Sequence, residues 1–460
     1  MILKLLPISL RKYFEMSRRQ RKHEIQNTLW YMPLVYVLGS LVLVAITLFL
    51  DLKVEIFQYT HTFFQSEAQS TRVLVSTLIG GILTLSAFTL NSVLVVLTTF
   101  SGQFSPRMLL NFISDRNTQH ALGIFNGSFV YVLAVFLFIA NRPESYYTAI
   151  PLTTVGLAFF TAMTFIYFIN HATTWMQVHN ITYSMNTTSK RIVQESLKNE
   201  LERYRIESPG SLLEEHMENK HTTEAVKSGY LQIIDYRNII ESARKDGIII
   251  QMHAKVGDFI LKGNRLFSYW GPSIENIDQM KYCKMIEIGH KETEMQDIKM
   301  GMTKLSEIAI KGLGNNDPQT AINTIHQMGE LLVSVESYIS FTPYLGDQDH
   351  HVRVVMESED FSYYLYRGFG YIRHYAQDNY PIITEIISVL GLVAQNIDES
   401  KHDRIWEFAC NTVDHISTEF IYDLDRHFLL SRLYTLAFHT NKIKSYYNLE
   451  KSLLKIEENQ

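Results

Sequence analysis

The sequence predicts a membrane α-helical bundle of four transmembrane helices followed by a water-soluble, cytoplasmic α+β domain. Three observations predict it. Four long apolar runs fill roughly the first 170 residues; charge and polarity return everywhere after them; and between about 222 and 270 the hydrophobic period changes from helical to strand-like. Bulk composition hides this division, because a hydrophobic share of 46% averages two unlike parts. The formal net charge of −5 argues against general nucleic-acid binding, which needs a clustered basic surface.

A bilayer core takes about 20 apolar residues in a helix. The four runs lie at about 29–50, 73–100, 121–140 and 149–169. A buried helix of a soluble protein can imitate one such run, but hardly four in succession. Orientation follows from Lys and Arg. Lys4, Arg11, Lys12, Arg18, Arg19, Arg21 and Lys22 crowd the segment 1–28 ahead of the first span. The first loop sets Asp51, Glu55 and Glu67 against Lys53 and Arg72, the second carries Arg107 and Arg116, and the third only Arg142. Both termini and the second loop are therefore expected on the cytoplasmic side. Trp30, Tyr31 and Tyr36 fall near the inner interface, and Tyr146 and Tyr147 near the outer one. The N-terminal stretch lacks the long apolar core and small-residue cleavage site of a secretory signal.

The second span is the polar one. Thr77, Thr84, Asn91 and Thr98 recur every seven residues, two helical turns, and so share a face that Gly80 and Gly81 extend and Ser92 and Thr99 flank. Polar groups at membrane depth are costly unless they meet another helix or water. Two readings are open: a close helix–helix interface bonded through Asn91, or the lining of a water-filled pathway in an oligomer. No charged residue lies inside the span, which disfavours a proton relay and leaves a pathway without an obvious selectivity filter. Pro106 predicts the helix end near Phe104 or Ser105. Arg107 then stands with Ser105 at the cytoplasmic mouth, either to attract anions or as one more positive charge on the inner side.

After the spans, 171–221 reads as a juxtamembrane helical connector broken at Ser208-Pro-Gly210. His171, Trp175 and His179 are spaced by four, yet no carboxylate or third ligand is expected nearby, so a plain helix face outweighs a metal site. The stretch 222–300 predicts a β-rich module: a strand entered through Gly229, strands on both sides of Val256-Gly-Asp258, a second turn at Lys262-Gly-Asn264, and a strand from Met285. Its spacing looks like a small barrel sandwich of the biotinyl/lipoyl type, without a matching modifiable-lysine hairpin. From 301 to 460 the pattern is mostly helical, broken near 341–351, 378–381 and 398–402. Asp317 and Pro318 suit the N-cap and first position of a helix, a better account of the glycine-containing loop before them than an anion site. Cys283 and Cys410 lack metal or disulfide spacing, and His290, His326, His350, His351 and His374 are scattered.

Taken in order, Gly81, Thr89, Ser101-x-Gln-Phe-Ser-Pro-Arg107, Gly123-x-Phe-x-Gly127-x-Phe-Val-Tyr131, Ser228-Gly-Tyr230, Val256-Gly-Asp258, Gln296-Asp297 and Asn316-Asp-Pro-x-Thr-Ala321 resemble the bacterial predicted membrane proteins of domain of unknown function 2254. The likeness runs from the first span to about residue 340. Where that family usually carries Ser-Pro-Gly, this chain reads Gly312-Leu-Gly314. The resemblance implies a bacterial inner-membrane protein with four helices and a cytoplasmic domain, and brings no established activity with it.

The expected function is a homo-oligomeric channel for ions or small solutes, with Thr77, Gly81, Thr84, Asn91 and Thr98 lining a pore or a helix interface. The alternative is a non-conducting scaffold or sensor. Expected partners are the lipid bilayer, further copies of the chain and an ion or small ligand. No catalytic residue, cofactor, metal or nucleic acid is expected.

Overall fold

The computed structural model describes residues 30–103, 115–139, 146–207, 217–272, 277–292, 297–357, 359–414 and 422–455, with the single positions 25, 28 and 112. Ser105, Pro106 and Arg107, and nearly all of the basic N-terminal segment, lie outside the described residues. Contacts divide the chain into two compact units, Met1–Val178 and His179–Gln460.

In the first unit four helices are long and apolar enough to cross a membrane: α1 (Tyr31–Leu52), α2 (Ala68–Gln103), α3 (Arg116–Ile139) and α4 (Ala149–Trp175). Three of them, α2, α3 and α4, outrun the apolar stretches that predict them by several residues. α2 begins early because β1 (Ser66–Glu67) pairs antiparallel with β2 (Tyr146–Tyr147), which ties its first turn to the entry of α4. α4 runs past residue 169 because its last turns have something to pack on: Trp175 meets Phe112 edge-on at 5.6 Å, and His171 meets Asp115.

α3 is the enclosed helix, with 44% of its apolar window buried against 17% for α1 and α2 and 22% for α4. Its small residues explain the position. A Cβ on Gly123 would stand 2.4 Å from the Tyr36 ring, and one on Gly127 3.1 Å from the Tyr36 carbonyl oxygen, so α1 crosses α3 where no side chain intervenes. The bundle interior holds Val44, Val75, Ile82, Val132 and Val135. Some of its polar groups are paired across helices: Tyr131 donates to Thr47 at 3.2 Å and Thr161 to Ser128 at 3.0 Å.

The second unit starts with α5 (Val178–Ile192), which widens into π-type turns over Val193–Leu201. Two small sheets follow. β3 (His221–Glu224), β7 (Arg265–Trp270) and β5 (Ile249–Met252) form antiparallel neighbours, while β6 (Phe259–Ile260) and β8 (Ile286–Gly289) flank β4 (Gly229–Ile234), also antiparallel. Gly229 opens β4 at φ +155°, where a Cβ would lie 2.5 Å from the Gly289 oxygen of β8. The strand-like stretch is interrupted by a helix that its periodicity does not announce, α6 (Tyr236–Asp246). The local signals are present: Asp235 accepts from the Asn238 amide, Ile239, Ile240 and Ala243 turn to the core, and Gly247 stops the helix at φ +68°. A short helix, α7 (Gln279–Cys283), precedes β8.

The remainder is built on α8 (Ile298–Gly314) and α9 (Pro318–Tyr338), a helical hairpin. Asp317 caps α9 by accepting from the Thr320 amide at 3.1 Å, with Pro318 in the first turn, as its sequence predicts. Gly312 leaves room for that cap, since a Cβ there would stand 3.1 Å from the Asp317 oxygen. The break near 341–351 is more than irregular chain. β9 (Tyr344–Gly346) lies inside it and β10 (Val352–Val355) follows, and both join the first sheet, β10 parallel to β5 and antiparallel to β9. The buried–half-buried alternation of β10 is the signal for it. Helices α10 (Phe361–Leu365), α11 (Tyr371–Ala376), α12 (Tyr380–Ala394), α13 (His402–Val413), α14 (Asp423–His439) and α15 (Ile443–Lys455) complete the unit.

Candidate functional site

The polar stripe of α2 faces away from its own bundle. Among the described α2 residues, Ala68, Thr71, Val75, Ile82, Thr89, Val93 and Val96 are buried. Thr77, Thr84, Asn91 and Thr98 each follow a member of that series (Val75, Ile82, Thr89, Val96) by two positions, about 200° round the helix at about 3.6 residues per turn. All four are exposed, as are Gly80 and Gly81. The intrachain helix interface is thus the opposite face from the polar one. Thr89, part of the family-like pattern, belongs to the buried side.

The hydroxyls of the stripe satisfy themselves locally. Thr77 donates to the Val73 carbonyl at 2.8 Å, Thr84 to Gly80 at 2.9 Å and Thr98 to Val95 at 2.9 Å. Asn91 has no such outlet: its amide makes no hydrogen bond among the described residues. A side-chain amide offers two donors and an acceptor, the costliest group of the stripe to leave in hydrocarbon. Gly80 and Gly81 have no neighbour within 4 Å of an added Cβ, so another backbone can approach there. The remaining predicted site residues, Ser105 and Arg107, lie outside the described residues.

Sequence reading passed over the groups that hold the bundle together. Asp51 counts there only as an acidic loop residue. In the fold it is 2% exposed, and its carboxylate accepts from the amides of Thr148 at 3.2 Å, Ala149 at 2.9 Å and Ile150 at 2.8 Å. It caps α4 from another helix, an anion seated on a helix N-terminus. His171 does have a carboxylate partner, supplied from 56 positions away: its Nε2 lies 2.8 Å from Asp115. Burial works against the Asp115 charge, but the His171 ring and the Thr118 amide hold its carboxyl below the ordinary carboxylate range. Tyr36 shares a 3.0 Å hydrogen bond with His120. Distant pairing of this kind leaves no spacing in the sequence to detect.

The family of predicted membrane proteins described as DUF2254 matches residues 26–391. The chain belongs to that family. Among curated relatives, uncharacterized proteins of Mycobacterium tuberculosis and Mycobacterium bovis are each 26% identical over 349 residues, covering 72% of this chain. The matched region is 65% of the length of those relatives. No solved structure matches the chain. As members of a membrane-protein family, these residues place α1 to α4 in a bilayer, and the orphan Asn91 face becomes a question about lipid rather than water. α13 to α15 lie beyond the matched region.

In the second unit Asp347, Asp349 and His351 bring ligand atoms within 4.8 Å of one another. Their charges are already answered. Arg353 donates to Asp347 at 2.7 Å, the amides of Asp349 and His351 donate to its other oxygen, and Arg244 pairs with Asp349 at 2.7 Å. The arrangement is a turn closed on its own ion pairs.

Proposed function

We propose that the protein is a homo-oligomeric inner-membrane channel for ions or small solutes, with α2 lining the pathway and the soluble unit stabilising or gating it. One observation carries the reading: Thr77, Gly81, Thr84, Asn91 and Thr98 face outward from a bundle whose interior is complete without them. Copies arranged round a closed symmetry axis would turn this stripe toward one another and toward water. The flanking Leu83, Phe88, Leu90 and Leu94 are exposed and suit lipid or neighbouring copies. The stripe carries no charge, so the pathway would discriminate by size and hydration more than by sign.

The basic N-terminal segment favours cytoplasmic termini, and the bacterial relatives favour an inner membrane. The soluble unit then lies in the cytoplasm, its sheets forming a barrel-sandwich-like module without enzymatic activity. A second reading, a non-conducting scaffold or sensor, is favoured by the open approach at Gly80 and Gly81, which suits a dry contact bonded through Asn91. Its soluble unit would bind a partner or small ligand.

Planar-bilayer recording of the reconstituted protein separates them. The channel reading expects currents that Asn91→Lys shifts toward anion preference and that Asn91→Leu with Thr98→Leu reduces severalfold. Silence under voltage, tension and added solutes would sink it, and currents indifferent to both changes would move the pathway off α2.

A further inference from the structure

The second unit has its own concentration of charge, where the turn between β5 and β6, the start of α8 and the approach to α10 meet around Asp297. Asp297 is 6% exposed and caps α8 through one long bond, accepting from the Met300 amide at 3.4 Å. Its other oxygen rests on Gly257, so closely that a Cβ on this glycine would stand 2.2 Å away. Gly257 holds φ +90° in the turn, and the neighbouring Asp258 accepts from the Lys255 amide at 3.1 Å. No water-sized gap separates the carboxylate from this backbone.

The nearby ammonium groups are committed to other partners. Lys255 pairs with Glu359 at 2.9 Å and lies 4.0 Å from the centre of the Tyr363 ring. Lys299 donates to the Gly257 carbonyl at 3.4 Å and stands 3.9 Å from Asp258. Tyr364 donates to Glu359. Asp297 makes no ion pair among the described residues. The groups that face it are Lys299 on α8, Lys255 and Asp258 on the turn, Glu292 from the segment before α8, and Glu359 and Tyr364 at α10. Carboxylates outnumber ammonium groups at this joint.

We propose that this joint is a proton-responsive latch: with Asp297 protonated the 256–258 turn closes on the first turn of α8, and with Asp297 ionised the two are driven apart. Burial pushes the Asp297 carboxyl up to about 7, with Lys299 pulling the other way and Glu359 and Glu292 adding to the rise. The closed joint therefore holds a proton that the opened one, near the ordinary aspartate value of about 4, releases. Closure is strongest at the acid end of that window, weakens as pH rises through it, and is level above about 7. The helix so gripped also meets α5: a Cβ on Gly301 would stand 2.1 Å from the Ser189 hydroxyl, and α5 follows α4 in the chain after Met176 and Gln177.

Hydrogen exchange of the full chain in detergent, followed by mass spectrometry between pH 5 and 8 and corrected for intrinsic rates, tests the latch. Peptides covering 256–258 and 298–301 should gain protection as pH falls below about 7, by up to about tenfold per pH unit. Asp297→Asn should hold them protected at every pH. Glu359→Gln, which removes a neighbouring negative charge, should move the bend to lower pH. A flat wild-type profile, or a bend that survives Asp297→Asn, overturns the proposal. If Asp297→Asn does not fold, a bend that Glu359→Gln fails to move overturns it equally.

Discussion

Inside the membrane bundle several polar groups reach across to another helix, whereas on the outer face of α2 none does so among the described residues. Inside, Tyr131 finds Thr47, Thr161 finds Ser128, and Asp51 finds the amides at the head of α4. Outside, Thr77, Thr84 and Thr98 fold their hydroxyls onto their own helix, and Asn91 has no hydrogen-bond partner among the described residues. The contrast teaches that the cross-helix hydrogen bonds of the described bundle are made without the stripe. Polar groups at membrane depth are costly unless they meet another helix or water, which makes Asn91 the residue of the stripe to test.

Substitutions can break this contrast. Asp51→Ala should have the largest effect, removing a buried charged acceptor and orphaning several α4 amides; a loss of about 3 kcal/mol is expected in thermal or denaturant unfolding of the detergent-solubilised protein. Wild-type stability in that variant would mean that the interior polar groups are as dispensable as the exterior ones. Gly123→Leu comes next. The added side chain collides with Tyr36 and should cost about 2 kcal/mol, whereas Gly81→Leu, with open space around it, should cost almost nothing in the same measurement. Equal losses at the two glycines would erase the distinction between packed and unpacked faces. The smallest expected change is for Asn91→Leu, within about 0.5 kcal/mol for the single chain. Cross-linking or native mass spectrometry should nevertheless register altered subunit association in that variant; unaltered association would remove Asn91 from any contact between copies.

Much of the architecture was legible. The four spans follow from run length, because backbone groups in lipid must be satisfied within a helix. The Asp317–Pro318 start of α9 and the turns at Gly257 and Lys262-Gly-Asn264 follow from local chemistry that acts over a few residues. α6 and the strands β9 and β10 were harder. Each is short, and β10 is completed by β5 about a hundred positions earlier in the chain, so its period-2 signal spans only a few residues. The stripe on α2 was visible as a heptad, but whether it faced in or out was not.

By itself the sequence determined the membrane class, the number of spans among the described residues and the residues of the polar stripe, since length and periodicity are properties of a segment alone. Tertiary structure decided the rest. It turned the stripe outward, placed α3 at the centre, seated Asp51 on the head of α4, brought Asp115 to His171 and closed the 256–258 turn on Asp297. The physical reason is common to all of these. Which face of a helix is buried, and which distant group satisfies a charge, depends on how segments pack against one another, and no single segment carries that information.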